Sequence, residues 1–377
     1  MKMWRTFAAA IFGLTLLSAA PARALAEWDN VPRIVAIADL HGDYDKFVDQ
    51  LRIAQLIDAN HNWIGGRAHL VQLGDVPDRG DHSRQIMDLL IRLEPQARRA
   101  GGYVHALIGN HEAMNVTGDL RYVSAGEYAS FATRNAARLR DQLYRASVGE
   151  MRRHPPAAGL PAFDAAFRAQ WDSEHPLGYA EHRQNWAPNG RYGRWVAGHD
   201  TVIRISDTLF MHGGLGPSFA NVGRQTMNDA VRGALRGRPI AVYADILDNQ
   251  EGPLWYRGLA SNAEESERAN VEAILAQNRV QRIVLGHTKV ASTVLPRFGG
   301  RVLLADIAVP SGHSDPHAFV IIENGAVTTI HRGQRVPLDA STPAATCAYL
   351  TRVAEIDGGT GPVATLATRQ CAAATAQ

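Results

Sequence analysis

Five short polar motifs occur along this chain in a fixed order: ADLHGD (38–43), GDVPDRG (74–80), GNHE (109–112), HGG (212–214) and GHT (286–288). Four of them directly follow an apolar run that reads as a buried strand. A chain built this way must fold so that several strand ends meet, and an α/β sheet does this at the C-terminal edge of its strands. The motifs also supply Asp39, His41, Asp75, Asn110, His212 and His287. Those oxygen and nitrogen donors suit Zn, Fe or Mn, and they suffice for two divalent ions. A pair of such ions can make a hydroxide near neutral pH and clamp a phosphoryl group.

The intervening sequence has the periodicity of an α/β fold. Ile34, Val35 and Ile37 mark a strand over 31–38, and Phe47, Leu51 and Ala54 mark a helix over 44–56. A strand follows at 68–73. A helix over 83–93 is expected to stop ahead of Pro95, and a third strand at 103–108 ends in GNHE. The order is β-α-β-α-β with polar chemistry after each strand. Strand signals then vanish over about 115–194, and an α-helical insertion is predicted there, with helices at 125–152 and 161–174 separated by His154-Pro155-Pro156. Strands resume at 201–205 and 208–211 around a Ser206-Asp207 turn. Helices are predicted at 225–235 and 263–278, and a strand at 282–285 delivers GHT. Segments 302–307, 318–322 and 326–331 read as a closing antiparallel set, with Asn324-Gly325 as a hairpin turn. The main domain thus spans 27–336, and the Ala/Thr-rich tail over 337–377 is expected to be peripheral.

Residues 1–26 stand apart. Lys2 and Arg5 precede an apolar stretch over 7–20, and Ala24-Leu25-Ala26 is a small-x-small cleavage site. This is the pattern of a secretory signal peptide. The apolar stretch falls short of the ~20 residues of a membrane span, so periplasmic or secreted localisation is expected, with no stable span after cleavage. The formal charge of +2 falls to −1 when Lys2, Arg5 and Arg23 leave, because no acid leaves with them. No basic excess then remains to suggest nucleic acid as a partner. Cys347 and Cys371 could pair in an oxidising compartment.

Each motif residue has a chemical reading. Asp39 and His41, spaced i, i+2 on extended backbone, would point to one side. Asp75 has two carboxylate oxygens and is the natural bridge between two cations. Arg79 offers a planar fork of donors for phosphate oxygens, and Arg257 in Trp255-Tyr256-Arg257-Gly258 could be a second clamp. Asn110 is assigned to metal through its carbonyl oxygen. His111 is assigned to the substrate side as proton donor to the leaving oxygen, with Asp78 fixing its tautomer. His313 and His317 could line the site. His61, His105 and His199 lie outside every motif.

The ordered set of motifs resembles the calcineurin-like metallophosphoesterases, and within them the phosphoprotein phosphatase superfamily. Two longer strings, GNHEAMNVTGDLRYV (109–123) and PLWYRG (253–258), are similar to the Shewanella-like protein phosphatases. The resemblance runs from about residue 32 to 306. It implies an αββα sandwich with a dinuclear site at the strand ends. By resemblance, Asp39, His41 and Asp75 hold one metal, and Asp75, Asn110, His212 and His287 hold the other. It pairs Asp78 with His111, and has Arg79, Asn110 and Arg257 grip the phosphate. The chain departs from the family at Ala38, where Gly is usual, and over 307–317, which lacks a Gly-Met-Ser pattern.

The expected activity is metal-dependent hydrolysis of a phosphate monoester on a small molecule or a protein, by direct attack of hydroxide. The family suggests phosphoprotein or phosphotyrosine-like substrates. Phosphodiester or dinucleoside polyphosphate hydrolysis is the alternative, and a non-catalytic binding module a third reading.

Overall fold

The computed structural model describes residues 26–157, 159–308 and 315–375. The predicted signal peptide over 1–26, apart from Ala26, and His313 lie outside these. Within them run twelve strands: β1 (Glu27–Trp28), β2 (Arg33–Ile37), β3 (His69–Gln72), β4 (Tyr103–Ala106), β5 (Val202–Ile205), β6 (Thr208–Met211), β7 (Arg282–Leu285), β8 (Leu295–Arg297), β9 (Val302–Leu304), β10 (Phe319–Glu323), β11 (Ala326–His331) and β12 (Gln334–Pro337). They form two six-stranded sheets, ordered β1-β5-β6-β7-β9-β8 and β12-β11-β10-β2-β3-β4.

Strand alternation explains why the sheets stack. On β2, Ile34 and Ala36 face the other sheet, together with Val71, Phe210, Val284, Leu303 and Val320. Val35 and Ile37 face the opposite way, into helices Tyr44–Ile53 and Ser83–Arg99. Met211, Ile283 and Leu285 do the same toward helices Arg224–Leu235 and Glu264–Asn278. Strands buried on both faces read as continuous apolar runs. The architecture is the predicted αββα sandwich.

In each sheet the site-bearing strands are parallel neighbours. β2 pairs with β3 and β3 with β4, while β6 pairs with β7 and β7 with β9. All five motifs therefore emerge at the same end of the sandwich.

Several expectations are corrected. The helix predicted to end before Pro95 runs over Ser83–Arg99 with Pro95 inside it. Its apolar face runs from Leu93 across the proline to Ala97, both fully buried, and this packing outweighs the missing hydrogen bond. The insertion holds five helices rather than two: Ala125–Phe131, Ala136–Arg153, Ala165–Glu174, Tyr179–Trp186 and Arg191–Val196. The first predicted helix breaks at Ala132, whose extended ψ of 126° ends Ala125–Phe131. β9 was expected in the closing antiparallel set, but it pairs with β7 and β8 in the other sheet. Apolar alternation marks a strand without saying which sheet it joins.

The tail is not merely peripheral. Helices Pro343–Ile356 and Pro362–Thr375 form a hairpin joined by a Cys347–Cys371 disulfide, with Cα atoms 4.8 Å apart. Tyr349, Leu350, Val353 and Val363 are buried in the inter-sheet core. The Tyr349 hydroxyl donates to the Val294 carbonyl at 2.9 Å and lies 3.3 Å from Thr329 Oγ1 on β11, which ties the two sheets together.

Candidate active site

The ligand-bearing side chains meet where the motifs leave their strands. Asp75 lies between two groups of donors. Its Oδ2 is 3.9 Å from His41 Nε2 and 3.7 Å from His111 Nε2, and its Oδ1 is 3.2 Å from His212 Nε2. His41, Asp75 and His111 form one group able to hold a metal ion, and Asp75, His212 and His287 form a second. Asp39 joins both sides. Its Oδ2 is 3.6 Å from His41 Nε2, while its Oδ1 is 3.9 Å from His212 Nδ1 and accepts the His287 amide at 2.9 Å. The Asn110 carbonyl oxygen lies 3.0 Å from His212 Nε2.

Backbone conformation, rather than strand pleat, aims these groups. His41, Asp75, Asp78, Arg79 and His287 all lie in the left-handed region, with φ of 48°, 57°, 75°, 68° and 66°. Residues with a Cβ seldom adopt it, and they cluster at functional sites where the surroundings over-determine them. The expected extended i, i+2 geometry of Asp39 and His41 is thus replaced by a turn. Glycine is required where loops touch: a Cβ on Gly109 would lie 2.4 Å from Asp75 Oδ1, and one on Gly286 would lie 2.8 Å from Asp39 Oδ1.

Hydrogen bonds settle which nitrogen each histidine presents. His41 Nδ1 lies 3.1 Å from the Pro77 carbonyl and His212 Nδ1 lies 2.9 Å from the Leu73 carbonyl. A carbonyl only accepts, so both rings donate from Nδ1 and turn Nε2 inward toward Asp75. His287 is reversed, with Nε2 donating to the Trp255 carbonyl at 3.2 Å. His111 Nδ1 is 2.5 Å from Asp78 Oδ2, which leaves Nε2 facing Asp75.

The electrostatics call for positive charge. Burial works to raise the Asp75 pKa, but His212 and His111 more than reverse this and hold it well below the carboxylate range. Burial works against a charged His212, yet Asp75, Asp39 and Glu112 push it up to about 10. His111 is raised in the same way, against burial, by Asp75 and Asp78. His41 is lowered by burial despite its acidic neighbours. Carboxylates so close that they protonate a buried imidazole form a setting that divalent cations satisfy, and the donor set fits them.

Two arginines reach the rim. Arg79 Nη1 lies 2.5 Å from His41 Nε2 and its Nη2 3.5 Å from His111 Nε2. Arg257 donates from Nη1 to the His287 carbonyl at 2.8 Å and to Thr288 Oγ1 at 3.1 Å, so it stands at the edge of the GHT loop. The His317 amide donates to Asp315 Oδ1 at 2.7 Å in a separate loop.

Four residues escaped the sequence reading. Glu112 accepts the amides of Asp75, Val76 and Gly109 at 2.8–2.9 Å and so staples two motif loops together. Burial and Asp75 push its carboxyl up to about 7, against the amides of Val76 and Asp75. Its place in GNHE was the available signal. Asp306 follows β9, as the other acids follow their strands, and burial beside Asp39 raises its pKa well above the usual range. The ring of Tyr122 lies 5.1 Å from that of His111. Asn115 bonds Asp78.

Two stacked sheets that converge on paired metal-donor groups fit a metallophosphoesterase. The chain belongs to the calcineurin-like phosphoesterase family, whose sequence model matches residues 32–291. Among its relatives, Shewanella-like protein phosphatase 2 of Arabidopsis thaliana is 31% identical and spans 76% of this chain and 74% of its own length. An uncharacterized Schizosaccharomyces pombe protein is 30% identical over 81% of this chain and 82% of its own. The crystal structure of the cold-active protein-tyrosine phosphatase of a psychrophilic Shewanella species superposes with a TM-score of 0.62 at 27% identity, covering 83% of this chain and 82% of that one. This chain is therefore a phosphatase of the Shewanella-like branch, in a family that uses divalent metals.

Proposed function

We propose that this protein is an exported phosphatase that cleaves phosphate monoesters with two divalent cations. The observation that carries the reading is the Asp75 carboxylate, which turns one oxygen to each of two donor groups. Asp39, His41 and Asp75 would hold one cation. Asp75, Asn110, His212 and His287 would hold the other. When bound, such a pair supplies Lewis acidity and lowers the pKa of water toward ~7.

The side chains do the rest. Arg79 and Arg257 neutralise the phosphoryl oxygens, and the Asn110 amide helps to orient them. His111 gives its Nε2 proton to the leaving oxygen, while Asp78 holds Nδ1–H and stabilises the charged ring. The Trp255 and Tyr122 rings flank the histidines at the rim. Manganese is the first metal to try, because two carboxylates and an amide carbonyl stand among the six donors and such oxygens suit it. The names of the relatives favour a phosphorylated protein, with phosphotyrosine the first residue to offer.

The test is hydrolysis of p-nitrophenyl phosphate with and without added Mn, beside Asp75→Asn and beside the bis ester. Metal-dependent monoester turnover that vanishes in the variant supports the reading, and preference for the bis ester sinks it. Export is checked on the same preparation by N-terminal sequencing of protein made in a bacterial host. A chain that starts at Glu27 supports cleavage, and an intact Met1 refutes it.

A further inference from the structure

The Asp78–His111 pair is held from behind. Asn115 lies one turn after His111 on helix Asn110–Thr117 and is fully buried. Its Nδ2 donates to Asp78 Oδ1 at 2.9 Å and to the His111 carbonyl at 2.9 Å. A carboxylate and a carbonyl both only accept, so chemistry fixes which end of the amide faces them. Asp78 therefore spends one oxygen on His111 and the other on Asn115. This matters because Asp78, at φ 75°, occupies a conformation that persists only where its surroundings impose it.

Asn115 is held in turn. Its backbone carbonyl accepts from Arg183 Nη1 at 2.5 Å. Arg183 comes from helix Tyr179–Trp186 in the insertion. Its guanidinium sits at the C-terminal end of helix Asn110–Thr117, where unpaired carbonyls favour a cation. The helix that carries Asn110, His111 and Asn115 is thereby anchored to the insertion.

We infer that the insertion is part of the catalytic apparatus: Arg183 and Asn115 are positioning residues that align Asp78 and His111 for proton delivery to the leaving oxygen. The inference rests on the assignment of His111 as proton donor made above.

Leaving-group dependence tests it. The p-nitrophenolate leaving group needs little protonation, whereas the alkoxide from β-glycerophosphate needs a proton. Wild type, Asn115→Ala, Arg183→Met, Arg183→Lys and His111→Asn are assayed on both substrates with metal content and melting temperature measured alongside. The expected result is a fall of about 100-fold for Asn115→Ala on β-glycerophosphate and less than about 5-fold on p-nitrophenyl phosphate. Arg183→Met should show the same split at about 10-fold, and Arg183→Lys should recover most of it. Equal losses on both substrates, or no loss, overturn the inference while leaving the phosphatase reading intact. If Asn115→Ala does not fold, the two Arg183 variants carry the test. A His111→Asn variant with no leaving-group dependence overturns the proton-donor assignment, and the inference with it.

Discussion

Part of the acid sensitivity of this protein should come from His182. This residue is fully buried in the insertion, and neither ring nitrogen has a hydrogen-bond partner among the described residues. The rings of Phe131, Tyr128 and Trp186 surround it at 5.0, 5.2 and 6.1 Å. Burial, reinforced by Arg183, pushes its pKa down to about 3 from an ordinary 6.5. The sign follows: as pH falls, the unfolded chain takes up this proton first. Stability is therefore complete above pH 6.5 and is lost progressively toward about pH 3. At about 1.4 kcal/mol per pH unit, His182 alone costs roughly 2 kcal/mol between pH 7 and pH 5. His182→Leu nearly conserves volume and removes an unpaired polar group, so at pH 7 it should be neutral or stabilising by about 1 kcal/mol. At pH 5 its advantage should widen by about 2 kcal/mol. Urea unfolding of both proteins at the two pH values, at fixed ionic strength, measures this. His69, pushed down to about 4 by burial, adds acid sensitivity equally to both proteins and cancels in the difference. Equal acid losses in wild type and variant would refute the reasoning.

Two further predictions concern the scaffold. Gly109→Ala drives a methyl into the Asp75 carboxylate. It should cut kcat on p-nitrophenyl phosphate by about 100-fold or more and lower the metal content measured by elemental analysis; an unimpaired variant would refute the close approach. Replacing Cys347 and Cys371 together with Ala opens the 24-residue separation they close and should cost about 3 kcal/mol in denaturant. kcat should stay within about twofold, because the hairpin closes the core rather than the site; a large kcat loss would contradict that separation.

Much of this protein was legible in one dimension. The strand-then-motif pattern marked Asp39, His41, Asp75, Asn110, His111, His212 and His287, and the structure gathers all of them. Such motifs are readable because buried strands are apolar runs and the polar break after each run is local. Pro95 misled because a local rule met a helix whose apolar face, continuing to Ala97, was worth more than one hydrogen bond. Asn115 and Arg183 could not be read together, since 68 positions separate two groups that touch only after the insertion folds back. The tail was misjudged for a similar reason: its Ala/Thr composition hides Tyr349, which bonds across the sandwich.

Local sequence was enough to show which chemistries are available and on which strand ends they sit, because side-chain donors and apolar periodicity are local properties. Tertiary structure alone decided the rest. It set the left-handed turns that aim Asp75 and His287, chose the nitrogen that each histidine presents, and anchored helix Asn110–Thr117 to the insertion. Those outcomes depend on carbonyls and carboxylates that arrive from distant segments, and no local pattern carries them.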